Sequence, residues 1–150
     1  MSGLTDLYQE VIVDHGQRPR NFHKLKDANL SAEGFNPLCG DRITIYLRLD
    51  GNVIKDIGFE GEGCAISKAS SSLMTVSLKN KTKTDAKALF QKFHSMVKGE
   101  PDNSSHAIDL GKLVVLSGVK EYPVRVKCAT LAWHTLLAAL EAQKEVVSTE

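Results

Sequence analysis

Cys39, Cys64 and Cys128 are the three thiols of this 150-residue chain, and each stands where the local sequence favours reactivity. Cys39 lies in Asn36-Pro37-Leu38-Cys39-Gly40-Asp41, a proline turn that runs into strict alternation. Ile43, Ile45, Leu47 and Leu49 share one face of a strand, and Arg42, Thr44, Tyr46 and Arg48 share the other. Side chains two apart in an extended segment point the same way, so Cys39 and Asp41 face with the apolar set toward a covered core. A carboxylate at the rim of a core needs a counter-charge. A metal ion, or a cation such as Arg125, would supply it.

Cys64 follows Gly61-Glu62-Gly63, where the pattern changes from strand to helix. The free N–H groups and the dipole of a helix start favour the thiolate, the form that ligates metals and attacks sulfur. Cys128 sits in Arg125-Val126-Lys127-Cys128, in the first turns of the last helix, where two cations are expected to favour its thiolate as well. Three thiolates and Asp41 would form an S₃O donor set suited to zinc and tolerable for iron. No C-x-x-C pair is present, so the local signature of a zinc finger is missing. At this level a shared metal or cluster site and three unrelated buried thiols both stay open. The five histidines add little. His134 lies on the last helix pointing away from Cys128, and His15, His23, His94 and His106 read as exposed.

The elements that must position these groups follow from periodicity. Leu4, Leu7, Tyr8, Val11 and Ile12 mark an amphipathic helix that stops near Gly16, before Pro19. The segment His15–Lys24 reads as a basic, solvated turn. Asp50-Gly51-Asn52 is a hairpin signal joining the alternating strand to a second one through Val53–Glu60. Ile66, Ala69, Leu73 and Val76 line a helix that begins close to Cys64. Thr84 or Asp85 is the expected cap of a helix carrying Ala88, Leu89, Phe93 and Met96. Residues 99–106 read as loop, a short helix is expected around Leu110–Leu116, and Pro123 is expected near the start of the last helix.

With 42% hydrophobic and 25% charged residues and a formal net charge of +1, the chain reads as one soluble, cytosolic α+β domain over residues 1–150. The charge balance gives no footprint for nucleic acid or an anionic membrane. No apolar run approaches a membrane span, and the N-terminus lacks a signal-peptide pattern. Three widely spaced cysteines fit a reducing compartment rather than a disulfide framework.

The words NPLCGDRI, FEGEGCAIS and RVKCATLAW, in this order, together with DHGQRPRN near the start, resemble the U-type iron–sulfur biogenesis proteins (IscU, SufU and the N-terminal domain of NifU). The resemblance spans nearly the whole chain. It implies a small three-stranded antiparallel sheet covered on one face by helices. Lys127 stands where IscU-type proteins carry histidine, Glu121–Arg125 holds one proline rather than two, and the stretch between the second and third cysteines is long. These features resemble the SufU branch, with the excess length expected around residues 98–120. By position, Cys39, Asp41, Cys64 and Cys128 match the family's metal ligands. Cys39 matches the thiol that accepts persulfide sulfur, and Arg125 matches a residue placed to pair with the site's anions. The resemblance implies zinc, a SufS-type cysteine desulfurase as partner, and downstream cluster-assembly proteins as recipients. The alternative it leaves is a scaffold on which a [2Fe–2S] cluster is built.

Overall fold

The computed structural model describes residues 3–101, 109–142 and 147–148. In chain order it contains α1 (Gly3–Gln17), β1 (Leu30–Asn36), β2 (Asp41–Asp50), β3 (Val53–Glu62), α2 (Ala65–Leu78), α3 (Lys83–Lys98), a 3₁₀ helix (Gly111–Glu121), α4 (Pro123–Leu140) and β4 (Val147–Ser148). Among the described residues no helix is long and apolar enough to cross a membrane. Part of the expected loop, residues 102–108 with His106, lies outside the described residues.

The alternation in β2 is realised as read: Asp41, Ile43, Ile45 and Leu47 are buried, while Arg42 and Arg48 are exposed. β2 pairs antiparallel with β3 through the Asp50–Asn52 turn, and antiparallel with β1 on its other side. The sheet is not the three-stranded antiparallel one expected. It has four strands in the order β3-β2-β1-β4, and β4 runs parallel to β1 through Gly34–Val147 and Phe35–Ser148. A two-residue pairing is too short to leave any periodic trace in a sequence.

β1 is equally silent, because its inward positions are Ala32, Gly34 and Asn36. Burial alternates there, but hydrophobicity does not. Gly34 explains how close the layers come: a Cβ at this position would collide with Thr135 Oγ1 and sit 3.0 Å from Leu131 Cδ1 on α4. The Thr135 hydroxyl is itself fixed by donating to the Leu131 carbonyl at 2.7 Å. Gly34→Ala is therefore expected to destabilise the fold by about 1–3 kcal/mol, the usual cost of overpacking a rigid contact. A lower urea midpoint at unchanged denaturant slope would report it.

α4 is buried around most of its circumference, from Cys128 and Ala129 to Leu140, and is the central helix of the layer. Trp133 stacks on Phe93 of α3 with ring centroids 4.7 Å apart. α2 buries hydroxyls instead: Ser67, Ser70, Ser71, Ser72 and Thr75 face inward, while Val76 of the expected apolar face is exposed. These small side chains admit close neighbours, and Ser70 Oγ donates to the Ala129 carbonyl of α4 at 2.6 Å. That bond fixes the start of α2 against the start of α4, the two places that carry Cys64 and Cys128. The cap of α3 is Thr82, whose side chain accepts from Asp85 N–H, two residues earlier than expected.

The basic turn is solvated along most of its length, as expected, but is docked at His15 and Asn21. His15 is 4% exposed, with Nδ1 2.7 Å from Ser72 Oγ, which also accepts from Arg20 N–H at 2.8 Å. Asn21 Nδ2 donates to Thr75 Oγ1 at 2.9 Å, and Phe22 packs edge-on against Phe59. Burial pushes the His15 imidazole below its ordinary pKa, and Arg20 adds to the effect. The inward hydroxyl row of α2 is what draws this segment in. His94 and His134 are half-buried and pack on Phe90, whereas His23 is exposed as expected.

Candidate metal centre

The four chemical groups come from three places that the fold brings together. Cys39 lies on the Pro37–Gly40 turn between β1 and β2, Asp41 opens β2, Cys64 caps α2, and Cys128 sits in the second turn of α4. One ligand atom each from Cys39, Asp41 and Cys128 lie within 4.8 Å of one another. Cys39 Sγ and Cys128 Sγ are 3.3 Å apart, well beyond a disulfide bond, and all three cysteines are free. Cys64 borders this group, with its Sγ 3.9 Å from Asp41 Oδ2.

Cys64 takes the N-cap position, where an oxygen side chain is usual. Its sulfur accepts from Ser67 N–H at 3.4 Å, and its own N–H donates to Asp41 Oδ1 at 2.8 Å. A hydrogen bond from the Cys128 thiol lowers the Cys64 pKa to about 7, helped by Ser67 N–H and opposed by burial. Cys128 moves the other way. Its hydrogen bond to Cys64 and its burial raise it far above the ordinary thiol range, with Cys39 and Asp41 adding to the effect. The expectation that two cations would favour the Cys128 thiolate is therefore corrected. Arg125 instead lies over the Tyr122 ring at 4.6 Å, and Lys127 faces a recess shared with His94 and Lys98. Of the two thiols, Cys64 is the more acidic and Cys128 the less acidic.

Asp41 is fully buried. Its Oδ1 is held by Cys64 N–H, while Oδ2 meets only a long contact from Asn36 Nδ2 at 3.4 Å and the Cys64 sulfur. Among the described residues no cationic side chain pairs with it. Gly63 makes room for the carboxylate, since a Cβ there would lie 2.6 Å from Asp41 Oδ1. A buried carboxylate facing three sulfurs calls for a cation. The donor set suits a tetrahedral ion, for which two sulfurs bound at about 2.3 Å stand about 3.8 Å apart. The Cys39–Cys128 separation of 3.3 Å is about half an ångström short of that spacing.

Of the expected site residues, Cys64 stands at the border of the group and Arg125 lies away from it. Arg125 is exposed and borders a groove of about 370 Å³ with Tyr8, Ile12, Ile66 and Tyr122. Asn36, fully buried beside Asp41, is absent from the sequence reading. Its only signal was its place in the cysteine turn.

The family description of the NifU-like N-terminal domain matches residues 7–144. The chain belongs to this family. Among relatives of this NifU-like domain, the zinc-dependent sulfurtransferase SufU of Bacillus subtilis is 44% identical over 135 residues, covering 90% of each chain. The iron–sulfur cluster assembly scaffold protein IscU of Streptococcus pyogenes is 40% identical over 141 residues, 94% of this chain and 87% of that one. A crystal structure from Fervidobacterium islandicum, described as a scaffold protein for the SUF system, is 38% identical. It superposes with a TM-score of 0.81, covering 92% of this chain and 99% of that one. The NifU-like family therefore holds members named for sulfur transfer and members named as scaffolds, and this chain is similar to both.

Proposed function

We propose that this NifU-like domain serves iron–sulfur cluster assembly as a zinc-dependent sulfur acceptor. It would take persulfide sulfur from a SufS-type cysteine desulfurase and pass it to downstream cluster-assembly proteins. The observation that carries the reading is the unequal exposure of the three thiols. Cys39 is exposed on its turn, Cys64 is half-buried, and Cys128 is 2% exposed. Cys39 is the sulfur most open to a partner, and Cys128 is closed to one.

Cys39, Asp41, Cys64 and Cys128 would hold the metal. Bound zinc would keep the thiols deprotonated and fix their geometry. The chain's own residues do the rest. Cys64 N–H orients the Asp41 carboxylate, and the packing of α2 on α4 keeps Cys64 and Cys128 in place while the β1–β2 turn presents Cys39. In the transfer, the Cys39 thiolate attacks the outer sulfur of the desulfurase persulfide. The bond from that sulfur to the desulfurase cysteine breaks, and its electron pair leaves with that cysteine as thiolate. Cys39 ends as a persulfide, and no net oxidation occurs. Arg125, exposed at the mouth of its groove, is available to anionic groups that arrive with the partner. Free thiols of this kind belong in a reducing cytoplasm.

The test is to supply a SufS-type desulfurase and cysteine to the zinc-loaded protein and map the added sulfur by mass spectrometry. The expected result is about one zinc per chain and a persulfide on Cys39. Brown protein holding iron and sulfide, with no persulfide on Cys39, would overturn the relay in favour of the scaffold.

A further inference from the structure

Asn36 is the last residue of β1, paired across the sheet with Asp41, the first of β2. Its side chain is fully buried, and its three polar contacts all lie in or beside the cysteine group. Nδ2 lies 3.4 Å from Asp41 Oδ2 and 3.6 Å from Cys128 Sγ, the latter a normal length for a bond to sulfur. Oδ1 accepts from Leu38 N–H at 3.3 Å, inside the turn that carries Cys39. The orientation of the amide is fixed by its partners. The NH₂ end faces two acceptors and the oxygen faces a donor, so a flipped amide would oppose like with like. A buried amide satisfied in this way is rigid.

The route by which Asn36 reaches Cys128 is also visible. Gly34, two residues earlier on the same face of β1, lets the strand press onto α4 at Thr135, two helical turns after Cys128. The close approach at Gly34 thus carries the amide down to the sulfur.

We propose that Asn36 is a positioning residue for the metal site, one carboxamide that ties two buried ligands, Asp41 and Cys128, to the turn bearing the third, Cys39. Its donors aim the carboxylate and the sulfur at a common point, and its acceptor holds the turn closed over them. Partners that orient metal ligands in this manner are typically worth about 10–100-fold in metal affinity. The inference rests on the four-ligand reading of the site, but not on sulfur transfer.

The experiment uses zinc and cobalt(II) on the full chain and two variants. Asn36→Leu keeps the size and removes every polar contact. Asn36→Asp keeps the size and the acceptor for Leu38 N–H but cannot donate when ionised. Both variants are expected to hold zinc about 10–100-fold more weakly in chelator competition. Both are also expected to shift the sulfur-to-cobalt absorption bands, which report ligand geometry and which a role confined to fold stability would leave in place. Wild-type zinc affinity together with wild-type cobalt bands in either variant overturns the proposal, and Asn36→Asp keeps it testable where Asn36→Leu fails to fold. Cys39→Ala assayed beside them separates the two readings. A Cys39→Ala protein that still accepts sulfur defeats the relay alone, and the zinc and cobalt results stand on their own.

Discussion

Cys39→Ala is expected to abolish stimulation of the desulfurase while leaving a folded protein. Both halves follow from exposure. Cys39 is the exposed thiol of the three, on a four-residue turn outside the core, so truncating it removes little buried surface. Substitutions at such positions usually change stability by no more than about 0.5 kcal/mol. The chemical loss is total by contrast, because the other two sulfurs cannot take over. Cys128 is 2% exposed, and Cys64 is half-buried and anchored as a helix cap by Ser67 N–H. The measurement is alanine and sulfide production by a SufS-type desulfurase with and without the variant, beside a melting curve. Full stimulation by the variant, or persulfide appearing on Cys128 in its place, would sink the assignment of Cys39 as acceptor.

The parts of this site that a sequence can display are those with a repeating pattern or a strong local signal. The alternation, extended back, puts Cys39 and Asp41 on the buried face with Ile43, Ile45 and Leu47; Asp41 is found there, whereas Cys39, on the turn before β2 begins, is exposed. The glycine-to-helix switch placed Cys64 at a helix start, and Pro123, expected near the start of the last helix, is the first residue of α4. What stayed hidden depends on contacts between segments far apart in the chain. β1 buries Ala32, Gly34 and Asn36, none of which signals a strand, because α4 comes too close for larger side chains. The burial of His15 depends on Ser72, fifty-seven positions away.

The charge environment of Cys128 failed for the same reason. Arg125 and Lys127 are near it in sequence, but the helix turns one onto Tyr122 and the other into a separate recess. The groups that do reach the sulfur are Cys64, Cys39, Asp41 and Asn36. Family resemblance supplied the ligand set that spacing could not. It also matched Cys39 to the sulfur-accepting thiol, and the structure adds that this thiol is the exposed one of the three.

Asp41→Ala is expected to weaken zinc binding by on the order of 10²-fold or more, since losing a ligand should cost at least as much as losing a partner that orients one. In metal-free protein two effects oppose each other. Removing the carboxylate leaves Cys64 N–H without its acceptor, a loss of about 1–3 kcal/mol, and takes from Asn36 Nδ2 its long contact to oxygen while that to Cys128 Sγ remains. It also relieves a fully buried charge that no cation among the described residues offsets, which is itself costly by several kcal/mol. The two nearly cancel, so the metal-free variant should melt close to wild type. The difference appears when zinc is added. At a fixed free zinc concentration about 100-fold above the wild-type Kd, wild type gains about 2.7 kcal/mol, and a variant weakened 100-fold gains less than about 0.5 kcal/mol. Asp41→Asn separates charge from shape, because its carbonyl can still accept from Cys64 N–H while the anionic ligand is gone. If affinity falls equally in both variants, the carboxylate acts as a ligand. If the asparagine variant binds zinc like wild type, Asp41 serves only to hold Cys64 N–H, and the metal rests on the three thiols.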